Sequence, residues 1–340
     1  IWPAIISGSL GYLIVVVGMV ATGMIGCDLG LASCTCCQAG FGKSGARFIV
    51  STIFAVNMIG WFGIQNGVCG EAFSNAMLAM TGWDIPVVVS NTIWGIIMLL
   101  TAVYGVHALE KLDKISIPLL MIIMCYGIFL AFKVYGTGNL NDEGTVQSMS
   151  FMSGVALSFN FTAVGTITGP DYTRFQKSRK DTVKSVFYGV FPMGVITLIM
   201  GIVLTKLSGQ YDISMVLIEV GLPLLGIIAL VISTWTTNST NAYSAGLNIV
   251  MALKLKDNRR REATLISGIV GIVLCDLGIL GHVEGVLSLL SYVVCPVGGV
   301  ILADYWVVGK GKAKNFRPQD GVNWAGVIAW ALGAIISYTL

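Results

Sequence analysis

Long stretches without a single charge constrain this chain more than any other feature. Charged residues punctuate it, leaving uncharged runs at 1–27, 48–70, 85–109, 115–132, 144–170, 185–205, 220–253 and 285–303, and a last one ending at residue 340. Each reaches the roughly 18–20 residues needed to cross the core of a bilayer. A further run, 263–281, is broken only by Asp276. The pattern predicts ten spans, all of them helices, because a backbone crossing lipid must satisfy its own hydrogen bonds. With only 11% charged residues, against about 25% in a soluble domain, water-soluble classes are excluded. The formal charge of +3 and two histidines give no sign of a nucleic-acid partner, a metal site or histidine-based catalysis.

The basic residues set the orientation. They fall in the first loop (Lys43, Arg47), the third (Lys111, Lys114), the fifth (Arg174, Lys177, Arg179, Lys180, Lys184), the seventh (Lys254, Lys256, Arg259, Arg260, Arg261) and the ninth (Lys310, Lys312, Lys314, Arg317). Only Lys133 and Lys206 lie elsewhere. The positive-inside rule puts the odd loops in the cytoplasm and residue 1 outside. Ten spans leave both ends outside, and one more at each end would return them to the cytoplasm. Together with a start at Ile1, this reads as residues 1–340 of a single transporter domain of twelve spans, lacking the first and the last.

Polar side chains inside spans are costly and mark function. Asn57, Trp61 and Gln65 recur every four residues and share one helix face. An indole beside an amide suits a flat, hydrogen-bonding ligand, and equally a helix contact with a buried tryptophan. The run from Ser158 to Asp171 holds Gly165, Gly169, Pro170 and several hydroxyls, poor material for an unbroken helix. Broken helices at membrane depth line cavities, while Gly169 to Asp171 also reads as a helix end capped by Asp171. Ser233, Thr237, Asn241, Ser244 and Asn248 recur every three or four residues, joined by Thr236 and Thr240. Neutral oxygens so gathered suit Na⁺, a hard cation, and single hydroxyls also bond back to their own helix carbonyls. Eight cysteines are present, and the cluster Cys34, Cys36, Cys37 lacks the second ligand pair of a zinc site. Glu71, Glu219, Asp276 and Glu284 sit near the ends of spans, within reach of water. There is no nucleophile, acid–base pair or phosphate loop inside the spans, so no enzyme is expected.

Five motifs together resemble the nucleobase:cation symporter-1 family, the permeases for cytosine, purines, uracil, allantoin, hydantoins and thiamine-related pyrimidines, and most of all its bacterial cytosine permease branch. They are Gly60-Trp61-Phe62-Gly63; Gly165-Thr166-Ile167-Thr168 followed by Asp171-Tyr172-Thr173-Arg174-Phe175; Trp235-Thr236-Thr237-Asn238 with Tyr243-Ser244-Ala245-Gly246-Leu247; the run from Pro296 to Tyr305; and Val322-Asn323-Trp324. The resemblance implies an all-α polytopic membrane protein with the five-plus-five inverted-repeat transporter fold, ten of twelve helices being present (the second to the eleventh). In that family the absent first helix supplies carbonyls to Na⁺ and lines the pocket, so without it no transport is expected.

Carried over residue by residue, the resemblance makes Trp61 the stacking tryptophan and Phe161 the aromatic on the other face of the ring. It makes Gln65 the base-binding glutamine of hydantoin-type members. Thr236 and Thr237 become the paired hydroxyls that hold Na⁺, with Ser233 on the same stripe. Gly165 offers backbone groups to the base, and Asn241 is near an asparagine used by other members. The cytosine permeases differ at three positions, with a glutamine where this chain has Met58, an asparagine at Ser233 and a serine at Ala163. The expected function is cation-coupled uptake of a nucleobase across the bacterial cell membrane by alternating access. The alternatives are a symporter for hydantoin, allantoin or a thiamine-related pyrimidine and, in another class, a channel. The coupling ion is Na⁺ or H⁺, no cofactor is expected, and the partners are a small heterocycle and the lipid bilayer, with a monomer as the default.

Overall fold

A computed structural model describes residues 1–137, 149–210 and 213–339, so the first residues of the run at 144–170 lie outside the described residues. The chain starts with α1 (Trp2–Leu29), turns through α2 (Ser33–Cys36) and α3 (Gln38–Gly45), and enters α4 (Ser51–Thr81) by a π-helical turn at Ala46–Val50. There follow α5 (Val87–Tyr104), α6 (Val106–Tyr135), and α7 (Phe151–Thr162) with α8 (Gly165–Thr173) as one interrupted span. Next come α9 (Arg179–Lys184), a second π-helical turn at Ser185–Val190, and α10 (Phe191–Ser208). The last part holds α11 (Ile213–Glu219), α12 (Pro223–Ala252), α13 (Arg260–Asp276), α14 (Val283–Leu302) and α15 (Trp324–Thr339).

Seven helical segments among the described residues are long and apolar enough to cross a membrane. The other three expected spans are α12, α13 and α15. α12 has 30 residues, but its Ser, Thr and Asn side chains dilute its hydropathy. α13 begins with Arg260, Arg261 and Glu262, and α15 has only 16 residues. Among the described residues, seven segments thus have the length and hydropathy of a span, and α12, α13 and α15 stand where the charge punctuation predicts the other three.

Two packed units carry the site. In the first, α4 lies along α12 with α5 and α13 beside them, around Phe62, Met98, Leu99, Ala242 and Ile272. Polar side chains stitch this unit together. Asn238 donates to the Phe62 carbonyl (3.1 Å), Ser239 to that of Met98 (3.0 Å), and Trp235 Nε1 to Thr101 Oγ1 (2.9 Å). In the second, α1 lies against α7 and α8 with backbones in contact. A Cβ added at Gly26 would run into the backbone of Pro170, and one at Gly169 would meet the Met19 carbonyl at 2.6 Å. Hydroxyls bridge the same seam, Thr22 donating to the Thr166 carbonyl and Thr173 to that of Gly23, both at 2.7 Å. Such close approach needs small residues, as helix contacts in lipid generally do.

Three of the basic loops meet. Arg179 Nε lies 3.0 Å from both oxygens of Asp28, while its Nη2 donates to Asp28 and to the Gly311 carbonyl. The guanidinium covers the Trp306 ring at 4.9 Å, and Tyr305 donates to the same carboxylate. Residues of the first, fifth and ninth loops thus meet around one carboxylate. Lys43 pairs with Asp320 at 2.8 Å and holds that carboxyl below its usual range. Asp171 caps not its own helix but α2, accepting from the Ser33 amide at 2.9 Å. The cysteine cluster is packing. Cys34, Cys36 and Cys37 are buried and Cys37 donates to the Ser33 carbonyl. Among the described residues no group of His, Cys, Asp and Glu is arranged to hold a metal ion.

Three substitutions test these contacts by thermal unfolding in detergent. Gly26→Ala is expected to cost about 1–3 kcal/mol by overpacking against Pro170, whereas Gly189→Ala, where an added Cβ meets nothing, stays neutral or gains stability. Asp28→Asn is expected to cost about 1–2 kcal/mol, toward the lower end for hydrogen bonds to charged groups, since the Arg179 side chain is 42% exposed and partly screened.

Candidate functional site

The span made by α7 and α8 is interrupted at Ala163 and Val164, where hydrogen bonds tighten to three-residue spacing: Thr166 to the Ala163 carbonyl (3.0 Å) and Ile167 to that of Val164 (3.1 Å). Both residues keep right-handed dihedrals, so the break is a tight turn, not an unwound segment. It is tied to α14, where Asn160 Nδ2 lies 3.3 Å from Ser288 Oγ and Ser291 donates to the Asn160 carbonyl at 3.2 Å. Gly165 follows the turn, and a Cβ there would press on Val15 at 3.1 Å.

At this break lies a cavity of about 800 Å³. It is lined by Met58, Trp61 and Gln65 from α4, by Phe161, Gly165 and Thr168 from the interrupted span, and by Thr237 and Asn241 from α12. All five residues expected to contact substrate, Trp61, Gln65, Phe161, Gly165 and Asn241, border this one space. It extends past Tyr172, Gln176 and Ser185, toward the end of the molecule that carries the basic loops. A second cavity of about 880 Å³ lies on the other side of Gln65, lined by Glu71, Asn75, Met121, Met124, Ser233 and Thr234 among others. Gln65 borders both.

The aromatic pair differs from the expected sandwich. Trp61 and Phe161 touch edge to face, with centroids 5.2 Å apart and planes at 88°. A base stacked on both faces needs parallel rings about 7 Å apart, twice the normal carbon contact distance. In this perpendicular arrangement the two rings do not form parallel walls for a flat ligand, and Phe161 is itself 53% exposed.

The expected cation residues are split. Thr237 lines the inner cavity and Ser233 the outer one, whereas Thr236 borders neither. The hydroxyls of Thr236 and Thr237 both donate to the Ser233 carbonyl, at 3.0 and 3.1 Å, and Ser233 donates to that of Leu230 at 3.0 Å. Back-bonding of this kind uses the hydroxyl proton and leaves the oxygen lone pairs available. Lower on the stripe the amides serve packing, with Asn248 donating to the Ser244 carbonyl and accepting from Cys34. Asn57, which shares a face with Trp61 and Gln65 in sequence, is 2% exposed and borders neither cavity.

Several lining residues carry no sequence signal of their own. Tyr12, Tyr172 and Gln176 reach the inner cavity from α1 and the end of α8, an assembly that only the tertiary fold brings about. Glu71 lies ten residues short of the end of α4, because that helix runs on to Thr81, and it lines the outer cavity instead of lying at a span end.

Known proteins of the same shape and sequence agree on what this architecture is. The chain is 31% identical over 324 residues to the cytosine permease of Escherichia coli (strain K12), covering 94% of this chain and 74% of that protein. Its fold matches the structure of MHP1, a nucleobase-cation-symport-1 family transporter, in a closed conformation with bromovinylhydantoin bound, with a TM-score of 0.77 at 18% identity over 100% of this chain and 80% of that one. It matches the inward-facing conformation of Mhp1 with a TM-score of 0.80 at 19% identity, over 99% and 79% of the two chains. These structures establish the five-plus-five inverted-repeat transporter fold. The family model for permeases for cytosine/purines, uracil, thiamine and allantoin matches residues 1–340, and this chain, a multi-pass membrane protein, belongs to that family.

Proposed function

We propose that this protein takes up a nucleobase across the bacterial plasma membrane by alternating access, coupled to Na⁺. The observation that carries the reading is the convergence of Trp61, Gln65, Phe161, Gly165 and Asn241 from three separate helical segments on one cavity at the break of α7–α8. The base lies on the indole face of Trp61, a contact of about 1–3 kcal/mol per stacked base in analogous sites. Phe161 swings from its edge-to-face position to cover the other face. Gln65 and Asn241 read the polar edge, and backbone groups beside Gly165 complete it. The binding, orientation and release steps make or break no covalent bond, in keeping with a permease.

Sodium is favoured over a proton by the chemistry of the lining. The inner cavity has no Asp, Glu, His or Lys among its lining residues, and Ser, Thr, Asn and Gln side chains do not ionise near neutral pH. Ser233, Thr236 and Thr237 are instead oxygen donors suited to a hard cation. Ion and base then bind with positive coupling, each tightening the other by the same factor. A hydantoin is the second reading, because Gln65 follows the hydantoin-type pattern and Met58 replaces the glutamine of the cytosine permeases.

The test is a thermal-shift series on the full-length protein in detergent, with nucleobases and hydantoins in Na⁺ or K⁺. Stabilisation by one nucleobase, enlarged in Na⁺, is the expected result. A hydantoin-only shift selects the second reading, a shift indifferent to Na⁺ removes sodium coupling, and no shift with any flat heterocycle removes the proposal. Trp61→Ala is expected to weaken base binding by roughly 10–100-fold with little change in the ligand-free midpoint. Thr237→Ala is expected to keep base binding while abolishing its enhancement by Na⁺, which titration calorimetry at two Na⁺ concentrations reads directly.

A further inference from the structure

Asn238 is fully buried and borders neither cavity, yet its hydrogen bonds lead to the site. The Phe62 carbonyl that it meets at 3.1 Å can only accept, so Asn238 must turn its NH₂ toward α4. Met98 Sδ, 3.6 Å from the same nitrogen, is likewise an acceptor and agrees with that orientation. The Asn238 carbonyl oxygen is thereby left facing Asn241, whose Nδ2 lies 3.5 Å away. That contact is long, but its direction is fixed: an oxygen facing Asn241 calls for the NH₂ of Asn241 and not its oxygen. With its NH₂ directed back into the helix, Asn241 keeps Oδ1 for the cavity it lines.

Oxygen and nitrogen of an asparagine amide have nearly the same shape, so a free side chain can present either to a ligand. A fixed one presents one polarity. We propose that Asn238 is a positioning residue that holds Asn241 with its carbonyl oxygen toward the substrate, so that the site selects pyrimidines presenting an N–H donor at C4, where cytosine has its amino group, over those with a carbonyl there. The proposal rests on the reading of the inner cavity as the base site. Gln65 has no hydrogen-bond partner among the described residues and rotates to suit either edge, which leaves discrimination to Asn241. Cytosine and uracil are matched probes. Cytosine offers an amino donor at C4 beside an acceptor at N3, and uracil has a carbonyl at C4 beside a donor at N3. Rotating one amide by half a turn converts the complement of one into the complement of the other.

The experiment measures cytosine and uracil affinities side by side in the full-length protein. The wild type is expected to bind cytosine at least tenfold more tightly than uracil. In Asn238→Leu, which leaves Asn241 free to rotate, the ratio is expected to collapse to within about threefold of unity. Asn238→Ser serves if the leucine variant does not fold, since it keeps a donor beside Phe62 while its single oxygen is too short to hold Asn241, and the same collapse is expected. A merely structural role for Asn238 lowers the unfolding midpoint, or weakens both bases in proportion, and leaves the ratio unchanged. An unchanged ratio in either folded variant overturns the proposal, as does a wild type that binds both bases equally. If wild type binds neither base, the base-site reading itself fails and this inference falls with it. Binding that Trp61→Ala weakens while the ratio ignores position 238 removes this inference alone.

Discussion

The site depends on the backbone contact between α1 and the interrupted span α7–α8. Gly26 and Gly169 let the two chains meet without intervening side chains, and Thr22 and Thr173 fasten the seam with hydroxyls aimed at the opposite helix's carbonyls. In lipid there is no hydrophobic gain from pressing two apolar helices together, so close van der Waals contact and interhelical hydrogen bonds carry the association. This seam fixes where the break at Ala163 and Val164 lies, and with it Phe161 on one side and Gly165 on the other. Were α1 held a side chain's width away, the inner cavity would lose the wall formed by Val15, Val16 and Met19.

The partner wall is of a different kind. α4 and α12 are joined through buried amides and hydroxyls, Asn238 to Phe62 and Ser239 to Met98 on the neighbouring α5, around an apolar centre that includes Phe62 and Ile272. Few contacts cross from one unit to the other at the site itself, and the aromatic pair is one of them: Trp61 belongs to α4 and Phe161 to α7. An edge-to-face pair across a seam between two well-packed bodies is a joint that opens without disturbing either body. On the proposed reading, a relative rotation of the two units separates these rings, and the base takes the space between them.

Much of this was legible in the sequence, for reasons that are physical. The succession of apolar helices follows from charge spacing, since no solvation is available for Lys, Arg, Asp or Glu in the bilayer core, and the first, fifth and ninth loops do meet around Asp28, Arg179 and Gly311. The interruption follows from glycine, proline and hydroxyls crowded between Ser158 and Asp171. That Trp61, Gln65 and Asn241 border a cavity was legible from polar and aromatic groups placed inside spans, whereas Phe161 and Gly165 were singled out by the family resemblance and the helix-breaking run. Other features required tertiary placement. A stripe at helical spacing shows which side chains share a face, but not what lies opposite each turn, so the α12 stripe is divided between an outer cavity at Ser233, an inner cavity at Thr237 and Asn241, and simple packing at Asn248. Asn57 likewise shares a face with Trp61 but meets a helix instead of a cavity. The relative angle of Trp61 and Phe161 depends on two helices set by different neighbours, and the orientation of Asn241 depends on a carbonyl of α4.

Gln65 shows how these pieces combine. α4 has 31 residues and is therefore roughly 46 Å long. Gln65 is the fifteenth of them, close to its midpoint. Trp61 lies one turn toward the basic loops and Glu71 nearly two turns toward the other side. On the proposed reading, a ligand held by Gln65 stands where the two cavities adjoin. A continuous polar pore would give a channel. A midpoint amide flanked by two separate cavities, with an aromatic joint on one side, gives instead a site that can face one end at a time. On the proposed reading this is the arrangement that alternating access uses, with one neutral side chain on one long helix standing where two cavities adjoin.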